Sequence, residues 1–444
     1  MNARRLLVAS LVVAVSSVFA CADIFGFKDL GAPDATASDA GDAATDSGDA
    51  GVSCTQRAVD DAKGVFVTVN GGDTSTCGSR TEPCQTIQQG VNQAKLLARS
   101  IVYIARGTYV ESVELASGVT LEGGWDTAST TWIPACDTTE VSAVKITMPS
   151  STNVGVTATS VANAGLRLLS IIGKSSAQPG ESVYGIFATE SALTLDTISV
   201  SVGAGGSGAT GANGDAGTPG ATDCDAGDAA AGAGAGNVGE GAQAGTFGPT
   251  GYDPATGGPG AADGSAGTPG TCSINPLCVT ICGTCESVCV NALAGCGGGP
   301  GLGGAGGSGG GSSVAVYGWS STLQIIGGSF TSGNGGSGGN GGAGGPGGGG
   351  GSGGVKDATC ASFCQVDAGC ASVGDTSPQI GSTGGAGAAG GQGGGGAGGS
   401  SFAIWNGGDA GAVTVTGSPT IVFGQPGQGG AVNGAPGVAA AQGP

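Results

Sequence analysis

The cysteines are the residues whose spacing most directly suggests chemistry. The 444-residue chain has 15 Cys and no His. Two clusters are present, the first made of Cys272, Cys278, Cys282, Cys285, Cys289 and Cys296, and the second of Cys360, Cys364 and Cys370. Cys282 and Cys285 have the spacing of zinc ligands. In an exported chain without His, disulfides are the favoured interpretation and zinc is the alternative. We therefore expect no metal and no cofactor.

The N-terminal sequence has the features of an export signal. Arg4 and Arg5 precede an apolar stretch at 6–15 that is too short to span a bilayer comfortably. The sequence VFAC at 18–21 resembles a bacterial lipobox, in which the cysteine is lipidated and becomes the mature N-terminus. The phenylalanine departs from the small residues usual there, so ordinary cleavage after Ala20 is the alternative.

Cys21 is the predicted lipidation site, which makes a membrane the expected partner. We expect an exported chain attached to the bacterial outer membrane or cell surface. The other 14 cysteines are an even number, as complete pairing in an oxidising compartment requires. Near the N-terminus the candidate pairs are Cys54–Cys136 and Cys77–Cys84. Cys224 is the candidate partner of one cysteine in the second cluster.

Acid–base catalysis would require carboxylates and a base that converge on one site. Asp60 and Asp61 precede the predicted helix, outside the strand-rich coils. The strands carry Arg167 and Lys145, and Asp196 is nearby in sequence. Isolated polar residues on short strands are usually solvated outward positions, so no catalytic residue is assigned.

Seven aromatic residues are candidates for stacking on sugar rings. They are Tyr103, Tyr109, Trp125, Tyr184, Tyr317, Trp319 and Trp405. Packing in the core or at turns is the favoured interpretation for such scattered aromatics.

Composition restricts both the fold and the partners. Glycine accounts for 99 of 444 residues, whereas the average is about 7%, so one large conventional core is not expected. The net charge of −19 argues against nucleic acid as a partner, because phosphate binding needs clustered Lys and Arg. Residues 31–51 alternate Asp with small residues and predict a disordered acidic tether.

Residues 52–202 predict one helix and many short strands. Residues 86–99 have an amphipathic pattern, with Thr86 and Gln89 as a capping box. Predicted strands, rich in Val, Ile and Thr, lie at 64–69, 100–105, 113–124, 142–148, 154–160, 166–173, 182–188 and 193–202. One helix followed only by such strands favours coils of a parallel β-helix with the helix as its end cap.

A family resemblance rests on residues 77–125. The helix entry PCQTI, the strand end RGTY and the coil GVTLEGG resemble the start of pectin-lyase-like right-handed β-helix proteins. The resemblance covers about residues 54–202. It implies an all-β, right-handed parallel β-helix with an N-terminal capping helix. Many of these proteins cut or eliminate acidic polysaccharides, which makes a cell-surface or matrix polysaccharide a candidate partner.

Three later segments repeat one order of features. Starting at Ser182, Ser313 and Ser401, each has an apolar strand, a polar turn, further strand sequence and then glycine. We interpret each as one coil, with the glycine-rich sequence leaving from one corner as a long side loop. These arrays resemble PGRS-type surface proteins. The sequence leaves two alternatives for these arrays. One is a bundle of extended strands with three residues per turn, and the other is plain disorder.

The predicted organisation follows from these boundaries. It consists of a signal peptide (1–20), a lipidated acidic linker (21–53), capped β-helix coils (54–202), a Gly/Cys-rich insertion (203–312), a coil (313–331), a Gly-rich insertion with Cys (332–400), a coil (401–424) and a Gly/Ala-rich tail (425–444). The favoured function is that of a non-enzymatic cell-surface lipoprotein with a structural or adhesive role. The alternative is a β-helix protein that binds or cleaves polysaccharide by lyase-like chemistry.

The lipobox interpretation can be tested at Cys21. Metabolic labelling with a fatty-acid analogue is expected to tag the chain, and Cys21→Ser is expected to abolish labelling and release the chain from membranes. Equal labelling of the two chains would show that the lipid is not on this cysteine.

Overall fold

A computed structural model describes residues 56–128, 131–136, 140–175, 177–222, 234–261, 265–270, 287–288, 294–356, 361–362 and 379–443. Within these residues the helices are α1 (Ile87–Leu96) and α2 (Glu140–Ala143). The strands are β1 (Gly64–Val67), β2 (Ile101–Ala105), β3 (Gly107–Val110), β4 (Val113–Glu114), β5 (Thr120–Ala128), β6 (Thr131–Pro134), β7 (Val144–Thr147), β8 (Val154–Thr159), β9 (Ala164–Arg167), β10 (Ser170–Ile172), β11 (Val183–Thr189), β12 (Ala192–Ser201), β13 (Thr246–Gly248), β14 (Gly251–Asp253), β15 (Ser287–Val288), β16 (Ser313–Trp319), β17 (Thr322–Thr331), β18 (Val355–Lys356), β19 (Ala361–Ser362), β20 (Gln379–Ile380), β21 (Ser401–Gly407), β22 (Ala412–Thr416), β23 (Thr420–Val422) and β24 (Ala439–Gln442).

Parallel pairing arranges most of these strands in three rows. The first row is β1, β2, β5, β9, the first half of β12, the first half of β17 and β22. The second row is β3, β7, β10, the second halves of β12 and β17, and β23. The third row is β4, β8, β11, β16, β21 and β24. From β2 onward the chain visits the three rows in this order on every circuit.

The core lies between the rows and is built from columns of aliphatic side chains. Side chains alternate between the two faces of a strand, and Leu121, Leu166, Leu195 and Ile325 are register neighbours that are all buried. Burying one such side chain contributes about 1.5–3 kcal/mol. The repeated columns therefore supply a continuous core despite the low hydrophobic content of the rest of the chain.

Helix α1 covers the core at the β1 edge, as the amphipathic pattern predicts. Its residues Ile87, Val91 and Ala94 are buried. The Thr86 hydroxyl accepts a hydrogen bond from the Gln89 N–H at 3.2 Å, but the reciprocal bond of the predicted capping box is absent. Instead, the Asp73 carboxylate accepts from the Thr86 N–H at 3.0 Å. The sequence pattern missed Asp73 because it lies 13 residues before Thr86, outside any local capping motif.

Two predicted strands are each divided by a residue with positive φ. Gly118 (φ 73°) lies between β4 and β5, and Leu168 (φ 51°) lies between β9 and β10. In both cases the bend moves the chain from one row to the next. The sequence pattern did not predict β3, β6, the pair β13 and β14, the two-residue strands β15, β18, β19 and β20, or β24.

The three glycine-rich excursions start and finish at the same corner. They leave from the ends of β12, β17 and β23, which are neighbours in the second row. They return at the starts of β16, β21 and β24, which are neighbours in the third row. This is the single-corner arrangement that the repeat predicts. Residues 425–444, expected to be a tail, also end in a strand of the third row.

The glycine-rich segments form an ordered bundle of extended chains, which we call the glycine bundle. Its described segments are 204–222, 234–242, 255–261, 265–270, 294–311, 333–354, 381–399 and 424–437. Segment 333–354 donates from every third N–H to every third carbonyl of segment 294–311, as in Gly339 to Ser308 and Gly342 to Ala305, each at 2.8 Å. A three-residue repeat is that of polyproline II. Of the two possibilities that the sequence left open, the bundle is the one that these segments adopt.

Glycine is required in the interior of the bundle because the backbones approach too closely for a side chain. A Cβ added at Gly342 would lie 2.0 Å from the carbonyl oxygen of Ala212, and one at Gly345 would lie 1.9 Å from that of Asp215. By contrast, a Cβ at Gly349 would meet nothing within 4 Å. The array therefore contains both essential and replaceable glycines.

This difference predicts the effect of adding one methyl group. Gly342→Ala is expected to destabilise the bundle by about 1–3 kcal/mol or more, because the backbones must separate and lose hydrogen bonds. Gly349→Ala is the matched control and is expected to be neutral or slightly stabilising. Amide hydrogen exchange should show faster exchange in bundle segments of the first variant alone. Similar exchange in both variants would contradict the close packing.

Candidate functional site

The outer face of the first row carries a column of charged side chains. Glu122, Arg167 and Asp196 are register neighbours on β5, β9 and β12. Each follows a buried leucine by one position, so strand alternation directs it outward. Of the polar residues singled out from sequence, Arg167 and Asp196 therefore do meet.

Ion pairs connect this column into a network. The Arg167 Nε atom lies 3.1 Å from an Asp196 carboxylate oxygen, and Arg167 Nη1 lies 3.9 Å from Glu122. Arg57 lies 3.7 Å from Glu122 and 2.5 Å from Glu140. Because each carboxylate faces an arginine, the column alternates in charge.

Arg57 holds the entry segment of the described fold against this face. Its side chain is only 6% exposed, and its Nη2 donates to the Gly124 carbonyl at 2.9 Å. Its guanidinium also lies 5.0 Å from the centre of the Trp125 ring, within the range of a cation–π contact. Arg57, Glu122 and Glu140 were not predicted from the sequence. An acid in the middle of the apolar strand TLEGG was the available signal for Glu122.

Burial changes the acidity of Glu122. Desolvation raises the pKa of its carboxyl above the ordinary value of 4.5, and this effect outweighs the opposing charges of Arg167 and Arg57. Glu111 behaves similarly, since burial raises its pKa although it accepts hydrogen bonds from the N–H groups of Gln88 and Ile87.

A shallow depression lies beside the Arg167–Asp196 pair. Its volume is about 280 Å³, and Thr120, Gly165 and Thr194 form the neighbouring outward column. The Thr120 side chain leans over Gly165, where an added Cβ would lie 2.8 Å from the Thr120 hydroxyl oxygen. The depression therefore offers hydroxyl, guanidinium and carboxylate groups within one small open area.

The other polar candidates are elsewhere. Lys145 lies on β7 in the second row, where its lateral neighbours are Thr108 and Ser170. Asp60 and Asp61 form exposed ion pairs with Lys63 and Arg80 respectively. The structure thus does not bring these residues to the Arg167–Asp196 pair.

Most of the aromatic candidates are packed inside the fold. Of the seven, all except Trp319 are buried. On the third row, Phe187, Tyr317 and Trp405 are register neighbours and stack at 4.8 Å between adjacent rings. Phe247, from the hairpin β13–β14, covers Trp405 at 4.6 Å. These rings join the hairpin to the third row and are not available for sugar stacking.

The structure describes only part of the predicted disulfide framework. Cys77 and Cys84 form a disulfide with each other, which is the pairing suggested for them. Cys136 is also disulfide-bonded, and so, separately, is Cys296. Outside the described residues lie the predicted lipidation site Cys21 and the candidates Cys54, Cys224, Cys272, Cys278, Cys282, Cys285, Cys289, Cys360, Cys364 and Cys370. In the part of the chain that the structure describes, no cluster of His, Cys, Asp and Glu could hold a metal ion, and no helix is long and apolar enough to cross a membrane.

Comparison with known proteins gives only weak similarity. Neither a family model nor a curated protein matches the chain. Among solved structures, a rhamnogalacturonan lyase matches at 14% identity over 33% of this chain and 40% of its own, with a TM-score of 0.21. The mannuronan C-5 epimerase AlgE4 A-module of Azotobacter vinelandii matches at 14% identity over 31% and 43%, with a TM-score of 0.17. A carrot pectin methylesterase matches at 11% identity over 32% and 49%, with a TM-score of 0.14. This chain thus spans about half or less of each of these proteins, and such low scores establish no shared activity.

The raised pKa of Glu122 predicts a pH dependence of stability. The relevant pH window lies between 4.5 and the higher pKa of the folded state. Within it the unfolded carboxyl loses its proton while the folded one keeps it, so the free energy of unfolding falls as pH rises. Glu122→Gln cannot ionise and is expected to flatten this part of the profile, leaving the contribution of Glu111. Denaturant unfolding at a series of pH values measures the slope, and the exposed Glu114→Gln is the control. An unchanged slope in Glu122→Gln would contradict the assigned effect of burial.

Proposed function

We propose that this protein is a right-handed parallel β-helix that binds polysaccharide on the outer face of the first row without cleaving it. The fixed order of the three rows supports the β-helix assignment. The observation that supports binding is the depression in which Arg167 and Asp196 stand beside two threonine hydroxyls. Sugar hydroxyl groups can both donate to a carboxylate and accept from a guanidinium.

The size and openness of the depression favour one unit of a longer chain. Pockets that bury a small molecule have volumes of about 300–1,000 Å³, and this one is slightly smaller and lies on an open sheet face. The parallel column Thr120, Gly165, Thr194, Gln324 and Thr414 continues across the strands on either side. A linear polymer lying across the strands would therefore meet a row of polar side chains.

The charges at this site favour binding over cleavage. Arg167 is engaged by Asp196 and Glu122, and Glu122 is also close to Arg57. A base for proton abstraction must be able to reach its substrate, whereas the Arg167 guanidinium is engaged by two carboxylates. Lys145, the other basic candidate, lies on a different row.

We further propose that the chain is exported and lipid-anchored at Cys21, so that the β-helix presents this face to polysaccharide at the cell surface. The lipobox-like sequence and the acidic tether at 31–51 support this placement. The glycine bundle then serves as a stiff side structure, because its backbones are hydrogen-bonded to one another along their length.

The proposal is tested by affinity electrophoresis against soluble neutral and acidic polysaccharides, with and without calcium. Retardation by at least one polymer is expected, and Arg167→Ala should weaken it about tenfold or more, since a hydrogen bond to a charged group contributes about 1.5–3 kcal/mol. Arg106→Ala is the matched control, because it breaks another exposed arginine–aspartate pair, with Asp126.

Two outcomes would overturn this function. Equal binding by the Arg167→Ala and Arg106→Ala chains would place the ligand elsewhere. Release of new reducing ends or unsaturated sugars by the unmodified chain, lost in Arg167→Ala, would make the protein an enzyme.

A further inference from the structure

Within the part of the chain that the structure describes, the last circuit of the three rows leaves part of the apolar core exposed. Val413, Val415 and Ile421 continue the core columns of Leu323, Ile325 and Phe330. Those three preceding residues are completely buried, whereas Val415 is 42% exposed. Val422 and Phe423 at the same end are similarly exposed, at 48% and 42%.

The strands at this end also have an unpaired edge. Among the described strands, β22 and β23 pair only with β17, and β24 pairs only with β21. An edge strand presents free N–H and C=O groups that can pair with another strand. The end thus combines exposed apolar side chains with unused hydrogen-bonding groups.

The opposite end of the core differs because α1 covers it. Ile87, Val91 and Ala94 of this helix are buried against the first circuit. The two ends therefore cannot pair with each other in a repeating head-to-tail stack. Only contact between two copies of the open end would cover both exposed cores, and such a contact closes after two copies.

The charge distribution favours a second copy as the occupant. Residues 401–444 contain one charged residue, Asp409, although the whole chain has 45 acidic and basic residues and a net charge of −19. Elsewhere, the approach of an identical acidic chain is opposed by repulsion. At this end two copies can meet with little electrostatic cost, and an edge without charged side chains lacks the usual protection against pairing.

We propose that two copies associate through this open end about a twofold axis. The axis places the β22 edges of the two copies antiparallel, so that their free backbone groups pair and Val415 of each copy becomes buried. The covered ends with α1 then lie at opposite extremes of the dimer. This inference is independent of polysaccharide binding, because it uses none of the residues of the depression.

The test is sedimentation equilibrium over a concentration series, using the full chain with Cys21→Ser. A reversible monomer–dimer equilibrium is expected. The double variant Val415→Lys, Val422→Lys should raise the dissociation constant about tenfold or more, because lysine at an edge strand opposes pairing. The matched control is Leu96→Lys with Val110→Lys, which charges two exposed apolar residues at the α1 end and should leave the equilibrium unchanged.

Each alternative result has a defined meaning. A chain that remains monomeric throughout the series would overturn the proposal, as would a dimer held by intermolecular disulfides on a non-reducing gel. A dimer weakened equally by both double variants would also overturn it. Thermal unfolding monitors folding of the variants, and Phe423→Lys alone provides a second disruption if the double variant is unstable.

Discussion

The spacing between neighbouring parallel strands is the constraint on which the rest of the structure depends. Adjacent strands lie about 4.8 Å apart, and each glycine-rich excursion leaves from a strand next to the one used by the previous excursion. Outgoing segments consequently start one strand spacing apart. The Gly205 N–H donates to the Asn334 carbonyl of the next outgoing segment, and the Gly335 N–H donates to the Gln425 carbonyl of the one after it. Neighbouring returning segments are hydrogen-bonded in the same way, since the Gly310 N–H donates to the Ala397 carbonyl. Interior segments of the bundle have backbone neighbours on several sides, as Gly342 has at Ala305, Gly393 and Ala212. A side chain there would collide with a carbonyl, which explains the glycine.

Serine hydroxyls connect the outgoing and returning glycine-rich segments to the rows at the corner. The Ser182 hydroxyl accepts from the N–H of Ser312, and the Ser312 hydroxyl accepts from the N–H of Ser400, both at 2.9 Å. The Ser313 hydroxyl donates to Gly203 and accepts from Gly333, so it joins two outgoing segments. Buried polar groups are costly unless hydrogen-bonded, and here each hydroxyl satisfies a backbone group where the regular ladder ends. The serine that opens each repeat therefore has a structural role.

The outer face of the first row shows how burial and charge oppose each other. Glu122 is placed there by strand alternation, and its partial burial disfavours the charged carboxylate. Arg57 and Arg167 offset part of that cost, and Arg57 can do so because Trp125 and the Gly124 carbonyl position its guanidinium. Further along the same face, burial decreases and Asp196 is more accessible. The accessible part of the column is thus the part suited to a ligand, and the buried part stabilises the fold.

Local patterns in the sequence determined much of this architecture. The apolar periodicity of residues 87–94 specified a helix, and alternating strands opened by serine specified the repeat, because both depend on neighbours within a few residues. The three-residue glycine period specified an extended chain but not its order, since order depends on carbonyl groups of segments distant in the sequence, as between Gly345 and Asp215. Similarly, no local pattern joined Arg57 to Glu122 and Glu140 or stacked Tyr317 on Trp405. Register between strands distant in the sequence decided the ring stack, and register is set by tertiary packing of the buried columns. Packing of the entry segment against Gly124 and Trp125 decided the contacts of Arg57.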